Sequence, residues 1–71
     1  MPNEFYAVEF PGDSPYFFKD KDKAFEFLWQ AFLNMYVLDY SEEELEQKKE
    51  DMYYWYQIDD FGHVRVVGFE D

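Results

Sequence analysis

At 71 residues the chain is long enough for one domain, 1–71, which buries only about 60% of the surface that its unfolded form exposes. It has no cysteine and a single histidine, which excludes disulfides and zinc sites built from thiolates or histidine clusters, so we expect no metal and no cofactor. Seventeen acidic residues against six basic ones give a formal charge of −11, which disfavours direct binding to nucleic acid or an anionic membrane and favours a basic partner.

The N-terminal half predicts a β-hairpin and then a long helix. Phe5–Phe10 is rich in aromatic and β-branched residues, turn formers fill Pro11–Pro15, and Tyr16–Phe18 resumes an extended pattern. The aspartates of Asp20–Lys23 suit a helix start, and we expect the helix to run to about Leu38.

This long helix is apolar around nearly its whole circumference. Its polar residues Glu26, Gln30 and Asn34 recur every fourth position and form one narrow stripe, so we expect it to be covered on more than one side. Trp29 is predicted to lie in the core. The same polar residues interrupt the most apolar segment of the chain, which argues against a membrane span.

The start of the chain lacks the features of a secretory signal. Met1–Glu4 has neither a basic region nor a long apolar stretch. Together with the absence of cysteine, this predicts an intracellular, cytoplasmic protein.

A second, shorter and more polar helix is predicted after Ser41. Ser41 is followed three residues later by Glu44, the pattern of a capping box. We expect this helix to end near Asp51 and to lie on the surface along a thin apolar seam of Leu45 and Met52.

The C-terminal third predicts a second hairpin. Tyr53–Ile58 has a strong strand composition, Asp59–Gly62 suits a turn, and His63–Phe69 suits a returning strand. The fold class is therefore α+β: a small antiparallel sheet of two hairpins, packed by one long helix and one short acidic helix, in the order ββααββ.

Catalytic constellations are missing from the sequence, and we expect no enzymatic activity. The hydroxyl candidates besides tyrosine are Ser14, in a turn, and Ser41, a cap, while His63 adjoins a hairpin turn. The spacing of Asp20 and Asp22 resembles the start of a calcium loop, but the later ligands are absent at the required offsets.

Acidic residues follow one face of the second predicted helix. Glu42, Glu46 and Glu50 are spaced four apart and Glu43 and Asp51 flank them, which places carboxylates about 6 Å apart along the helix. Such a row either is a solvated surface or imitates a phosphate backbone, and the global charge favours the second interpretation.

Aromatic residues exceed what one small core needs. On a strand over Tyr53–Ile58, alternate side chains would face opposite sides of the sheet, and one helix covers only one side. The second set is then exposed, buried by a second copy or buried by a partner, unless the N-terminal hairpin or second helix covers it, and we expect a homodimer. Trp55 is predicted to be a core residue.

A short motif spans Gln57–Phe61. It is similar to the peptide of glutamine, aliphatic, acidic and aromatic residues that docks on bacterial sliding clamps, but Asp60 stands where a second aliphatic residue is usual. The predicted partner-binding residues are therefore Glu42, Glu43, Glu46, Glu50, Asp51, Tyr54, Tyr56, Gln57, Asp59, Asp60 and Phe61.

The length, acidity, aromatic content and lack of catalytic residues resemble the small acidic host-takeover inhibitors of bacteriophages, several of which mimic DNA. Sliding-clamp inhibitors of staphylococcal phages and uracil-DNA glycosylase inhibitors belong to this group. The resemblance implies that the chain occupies a Lys/Arg-lined DNA-binding surface of a host protein, with a sliding clamp favoured, in the bacterial cytoplasm. The alternative is a non-catalytic adaptor that dimerises through its aromatic residues and is acidic only for solubility.

Overall fold

The computed structural model describes residues 3–69 and contains one four-stranded antiparallel sheet and two helices. The elements are β1 Asn3–Glu9, β2 Tyr16–Phe18, α1 Lys21–Tyr36, α2 Glu42–Trp55, β3 Gln57–Ile58 and β4 Gly62–Phe69. The strand order across the sheet is β2-β1-β4-β3. This confirms the predicted α+β class and the order ββααββ.

The two longest strands form the centre of the sheet. β1 and β4 pair from Asn3↔Phe69 to Glu9↔His63, while β2 and β3 are short edge strands of three and two residues. Short edges limit unwanted pairing with other chains. The turn between β1 and β2 contains Gly12 at φ 85°, a conformation that glycine adopts without steric cost.

Helix α1 begins where the sequence predicts and ends slightly earlier. The Asp20 carboxylate accepts N–H bonds from Asp22 at 2.8 Å and Lys23 at 3.4 Å, as an N-cap should. The helix ends at Tyr36 and not at Leu38, which is 95% exposed in the following turn. Trp29 is only 7% exposed, so its predicted core position is confirmed.

Helix α2 is longer than predicted, and the expected strand over Tyr53–Ile58 is reduced to Gln57–Ile58. The helix spans 14 residues and includes Tyr53, Tyr54 and Trp55. Aromatic residues cost a helix less than about 0.7 kcal/mol each relative to alanine, and extending an existing helix gains a hydrogen bond for each residue added. Burial of Met52, on the core-facing side of this helix, therefore outweighs the strand preference of the aromatic residues that follow it.

The helix stops at Tyr56, which adopts a left-handed conformation with φ 60° and donates its N–H to the carbonyl of Met52 at 2.8 Å. Only Gln57 and Ile58 then remain extended. The predicted alternation of Tyr53, Trp55 and Gln57 against Tyr54, Tyr56 and Ile58 on two faces of a sheet does not occur.

The predicted capping box is present at the start of α2. Ser41 Oγ accepts the N–H of Glu44 at 3.2 Å, and Glu44 Oε1 accepts the N–H of Ser41 at 3.2 Å. We expect Ser41→Ala to cost about 1 kcal/mol of unfolding free energy, because a helix N–H loses its acceptor. Urea titration followed by circular dichroism measures this. Ser14→Ala, in an exposed turn, is the matched control, and an equal loss in both variants would contradict the cap's role.

The core lies between the two helices and one face of the sheet. Phe25, Leu28 and Phe32 of α1 pack with Met52 of α2 against Val8 and its neighbours. At Gly62 a Cβ atom would lie 2.9 Å from atoms of Leu28 and Phe10, so this close packing depends on glycine.

The other face of the sheet is not covered by either helix. The strand register places Phe5, Ala7, Phe17, Arg65 and Val67 on that face. Ala7 is fully buried among its neighbours, whereas Phe17 is 61% exposed.

Candidate protein-binding surface

The outer surface of α2 carries two parallel rows of side chains spaced four residues apart. One row is Glu42, Glu46, Glu50 and Tyr54, and the other is Glu43, Gln47, Asp51 and Trp55. Residues four apart are neighbours on a helix, and all eight of these residues are exposed. We call the acidic part of this surface the acidic ridge: Glu42, Glu43, Glu46, Glu50 and Asp51.

The two lysines of α2 lie outside the acidic rows, and each is close to an aromatic ring. Lys48 Nζ contacts Asp59 Oδ2 at 2.7 Å and lies 4.9 Å from the Tyr40 ring centre. The hydrogen bond to Asp59 raises the pKa of Lys48 above its ordinary value. Lys49 Nζ lies 5.9 Å from the Trp29 ring centre. Both bases of this helix thus lie beside aromatic rings, and Lys48 also interacts electrostatically with Asp51 of the ridge.

Both acidic rows end at an exposed aromatic pair. Tyr54 and Trp55 are 75% and 67% exposed, with ring centroids 4.8 Å apart and nearly perpendicular planes. The predicted core position of Trp55 is therefore wrong, because the helical conformation turns this side chain outward. Tyr54, one of the predicted partner-binding residues, is thus exposed together with Trp55.

A shallow groove of about 360 Å³ adjoins Trp55. It is lined by Asp51, Trp55, Gln57 and Asp59. Asp59 has φ 45° in the turn before β4, and Gln57 Nε2 donates to its backbone carbonyl at 3.2 Å. The structure thus brings together three of the predicted binding residues and adds Trp55, which the sequence placed in the core.

The Gln57–Phe61 segment does not present its apolar side chains outward. Ile58 is 2% exposed, and the Phe61 ring packs 5.4 Å from Phe10 and 5.5 Å from Phe32. Asp60 is exposed in the turn. In this conformation the aliphatic and aromatic anchors of the clamp-type motif belong to the core and its border.

Tyr56 is also set back from the surface. Its side chain is half-buried, with its ring 5.0 Å from that of Phe25 and 5.1 Å from Lys21 Nζ. The hydrogen bond with Tyr56 raises the pKa of Lys21. Of the predicted binding tyrosines, Tyr54 is therefore the accessible one.

A second depression, of about 340 Å³, lies at the turn end of the sheet and includes Glu9, Asp60 and His63. Glu9 Oε1 accepts from Arg65 Nε at 2.8 Å and lies 3.1 Å from His63 Nε2. The Arg65 hydrogen bond, with a smaller contribution from His63, holds the pKa of the Glu9 carboxyl below its ordinary value of 4.5.

This pairing predicts a pH-dependent contribution to stability. A carboxyl whose pKa is depressed in the folded state stabilises the fold above its unfolded-state pKa, and the effect is lost as pH falls through the folded-state pKa. We expect Glu9→Gln to lower the urea midpoint at pH 7 and the difference to vanish on acidification below 4.5. Glu26→Gln, at an exposed position of α1, is the control, and a gap that persists unchanged in acid would contradict the assignment.

Within residues 3–69, no group of three or more histidine or acidic side chains is arranged to hold a metal ion. Neither helix of this part of the chain is both long and apolar enough to cross a membrane. Comparison with protein-family models, with curated proteins and with solved structures finds no match to this chain.

Proposed function

We propose that this protein is a non-catalytic inhibitor that binds the basic, DNA-binding surface of another protein and blocks access of DNA. The observation that carries the proposal is the arrangement on α2: an acidic ridge whose two rows contain no lysine, and an exposed aromatic pair at the end of both rows. Charge supplies attraction over a distance, and the rings supply contact area.

The spacing of charge along α2 supports mimicry of DNA. The five residues of the acidic ridge fall within Glu42 to Asp51, ten residues that span about 15 Å at 1.5 Å per residue. This is roughly one carboxylate per 3 Å along the helix, close to the one phosphate per 3.4 Å along each strand of DNA. Lysines and arginines placed to hold phosphates would therefore meet a similar density of negative charge.

The aromatic pair supports a specific complex over general electrostatic attraction. Tyrosine and tryptophan are enriched among the residues that dominate binding energy at interfaces, and both combine apolar area with a polar group. Exposing two such rings side by side is costly for solubility unless a partner covers them.

The proposed partner is a DNA-metabolism protein of a bacterial host, and the bacterial cytoplasm is the proposed location. A sliding clamp is favoured, and a uracil-DNA glycosylase or another DNA-binding enzyme is the alternative. Preference for the clamp rests on the resemblance to phage inhibitors. Because Ile58 and Phe61 pack inward, the proposed contact uses the acidic ridge and the aromatic pair, and not insertion of the Gln57–Phe61 segment into a peptide groove.

The test is competition. The protein is immobilised, a bacterial lysate is passed over it, and retained proteins are identified and purified. Labelled duplex DNA bound to each purified candidate is then titrated with this chain. We expect displacement of the DNA, which weakens steeply as salt is raised. Simultaneous binding of DNA and this chain to the candidate would refute the proposal.

The sheet face opposite the two helices favours a second candidate function, a dimeric adaptor. Phe17 is 61% exposed there and Val67 lies on the same face, so a second copy has an apolar surface to cover. We expect sedimentation to show a homodimer at micromolar concentration and Phe17→Ser to shift it to monomer. A single species of 8.8 kDa across that range would contradict self-association, and the control Met35→Ser alters an exposed apolar residue of α1 instead.

A further inference from the structure

The groove beside the aromatic pair has the chemistry of a site for one cationic side chain. We propose that it receives a single arginine of the partner, with the guanidinium stacked on Trp55 and donating N–H bonds to the carboxylates of Asp51 and Asp59. This deepens the proposed function by naming the partner's contacting group, and it rests on that function.

The polar groups of the groove retain capacity to accept these bonds. Lys48 engages Oδ2 of Asp59, which leaves Oδ1 as an acceptor. Gln47 donates to Oδ1 of Asp51 at 3.2 Å, which leaves Oδ2. The side chain of Gln57 uses its Nε2 to bind the backbone of Asp59, so its Oε1 is a third acceptor on the lining.

The charge balance fits one monovalent cation. Two carboxylates line the groove, and the adjacent Lys48 offsets one of them, which leaves a net charge of about one negative unit. A doubly charged metal ion would be poorly matched, and the described residues supply no cluster of three ligating side chains. One arginine restores neutrality.

The exposed indole favours arginine over lysine. A guanidinium is planar, stacks on aromatic faces and presents five N–H donors in a fixed fork, whereas an ammonium is compact and strongly hydrated. Contact of Trp55 with Tyr54 at 4.8 Å restrains the indole, so less side-chain freedom is lost on binding. A volume of about 360 Å³ is near the lower end for ligand sites and suits one side chain.

The experiment uses the intact protein labelled with ¹⁵N, titrated with N-acetyl-arginine amide and, separately, with N-acetyl-lysine amide. We expect the indole N–H signal of Trp55 and the side-chain amide signals of Gln57 to shift with arginine, while the Trp29 indole signal stays in place. Arginine should bind roughly two- to fivefold more tightly than lysine, the ratio that corresponds to a stacking gain of about 0.5–1 kcal/mol at an exposed site.

Variants distinguish binding of arginine in the groove from general attraction of a cation to an acidic protein. Asp51→Asn/Asp59→Asn should weaken arginine binding roughly tenfold, and asparagine tolerates the positive φ at position 59. Trp55→Leu should remove the preference for arginine over lysine while retaining weak binding of both. The matched control Glu26→Gln/Asp39→Asn removes two exposed charges that do not line the groove and should leave arginine affinity within about twofold.

Equal shifts with arginine and lysine, or an equal loss in the groove and control variants, would overturn the proposal. The outcome is separable from that of the proposed function. If the chain binds arginine selectively but does not compete with DNA, the arginine site is supported and the DNA-mimic function is rejected. If it competes with DNA but does not prefer arginine to lysine, the DNA-mimic function is supported and the arginine site is rejected.

Discussion

Replacing Trp29 with alanine is expected to lower the thermal midpoint of this domain by roughly 12–40 °C, since each kcal/mol shifts a domain of this size by about 4–8 °C. Trp29 is 7% exposed and its ring stacks on Phe32 with centroids 5.5 Å apart. Truncating a buried tryptophan costs about 3–5 kcal/mol, a large share of the roughly 5–15 kcal/mol that stabilises a whole domain. Circular dichroism during heating measures the shift.

The matched control is Trp55→Ala, which removes the same side chain from an exposed position of α2. Trp55 is 67% exposed and contacts Tyr54, so its removal should change stability by no more than about 0.5 kcal/mol. Equal destabilisation by the two substitutions would contradict the placement of Trp29 in the core and Trp55 on the surface.

Reversing the charge of one acidic row should greatly weaken partner binding while the fold survives. Changing Glu42, Glu46 and Glu50 to lysine moves the net charge from −11 to −5, because each substitution changes it by two units. All three are exposed, and the main stability cost is about 0.3–1 kcal/mol for Glu42→Lys, which places a cation at the positive end of the helix dipole. The association rate with the basic partner should fall by roughly ten- to a hundredfold at low salt, since electrostatic steering contributes on that scale.

Surface plasmon resonance at several salt concentrations measures this rate. The control Asp13→Lys/Glu26→Lys/Asp39→Lys makes the same change in net charge at exposed positions outside α2. If the control slows association as much as the α2 variant does, net charge rather than the acidic ridge governs binding. If neither slows it, electrostatic mimicry is rejected.

Most of the fold follows from local signals in the sequence. The Asp20 cap, the Ser41 capping box and the turn residues at Gly12 and Asp59–Gly62 all have the predicted roles. These features depend on hydrogen bonds between residues close in sequence, so a local pattern is enough to predict them.

The conformation of Tyr53–Trp55 was not predictable from composition in the same way. Its aromatic residues favour a strand, and the deciding contact is tertiary: Met52 is fully buried against residues distant in sequence. A signal was nevertheless present, since Leu45 and Met52 lie seven residues apart, and continuing that helical seam places Tyr54 and Trp55 in line with the acidic rows.

The formation of a helix where a strand was predicted also explains which binding residues were predicted correctly and which were not. Glu42, Glu46 and Glu50 were predicted to share one face of the helix, and all three are exposed. Trp55 was missed because a strand would have turned it inward, and Tyr56 and Phe61 were placed in the binding set although long-range ring contacts draw them towards the core.

The four-residue spacing of the acidic rows has a geometric consequence for any complex. Rows of residues four apart are inclined by about 26° to the axis of a helix. The row that begins at Glu42 therefore crosses α2 obliquely and reaches the opposite flank at Tyr54. A straight line of cations on a partner can follow such a row only if it crosses the helix at a similar angle. The bound orientation of α2 is thereby restricted, and a partner whose cations run parallel to the helix axis would reach only part of each row.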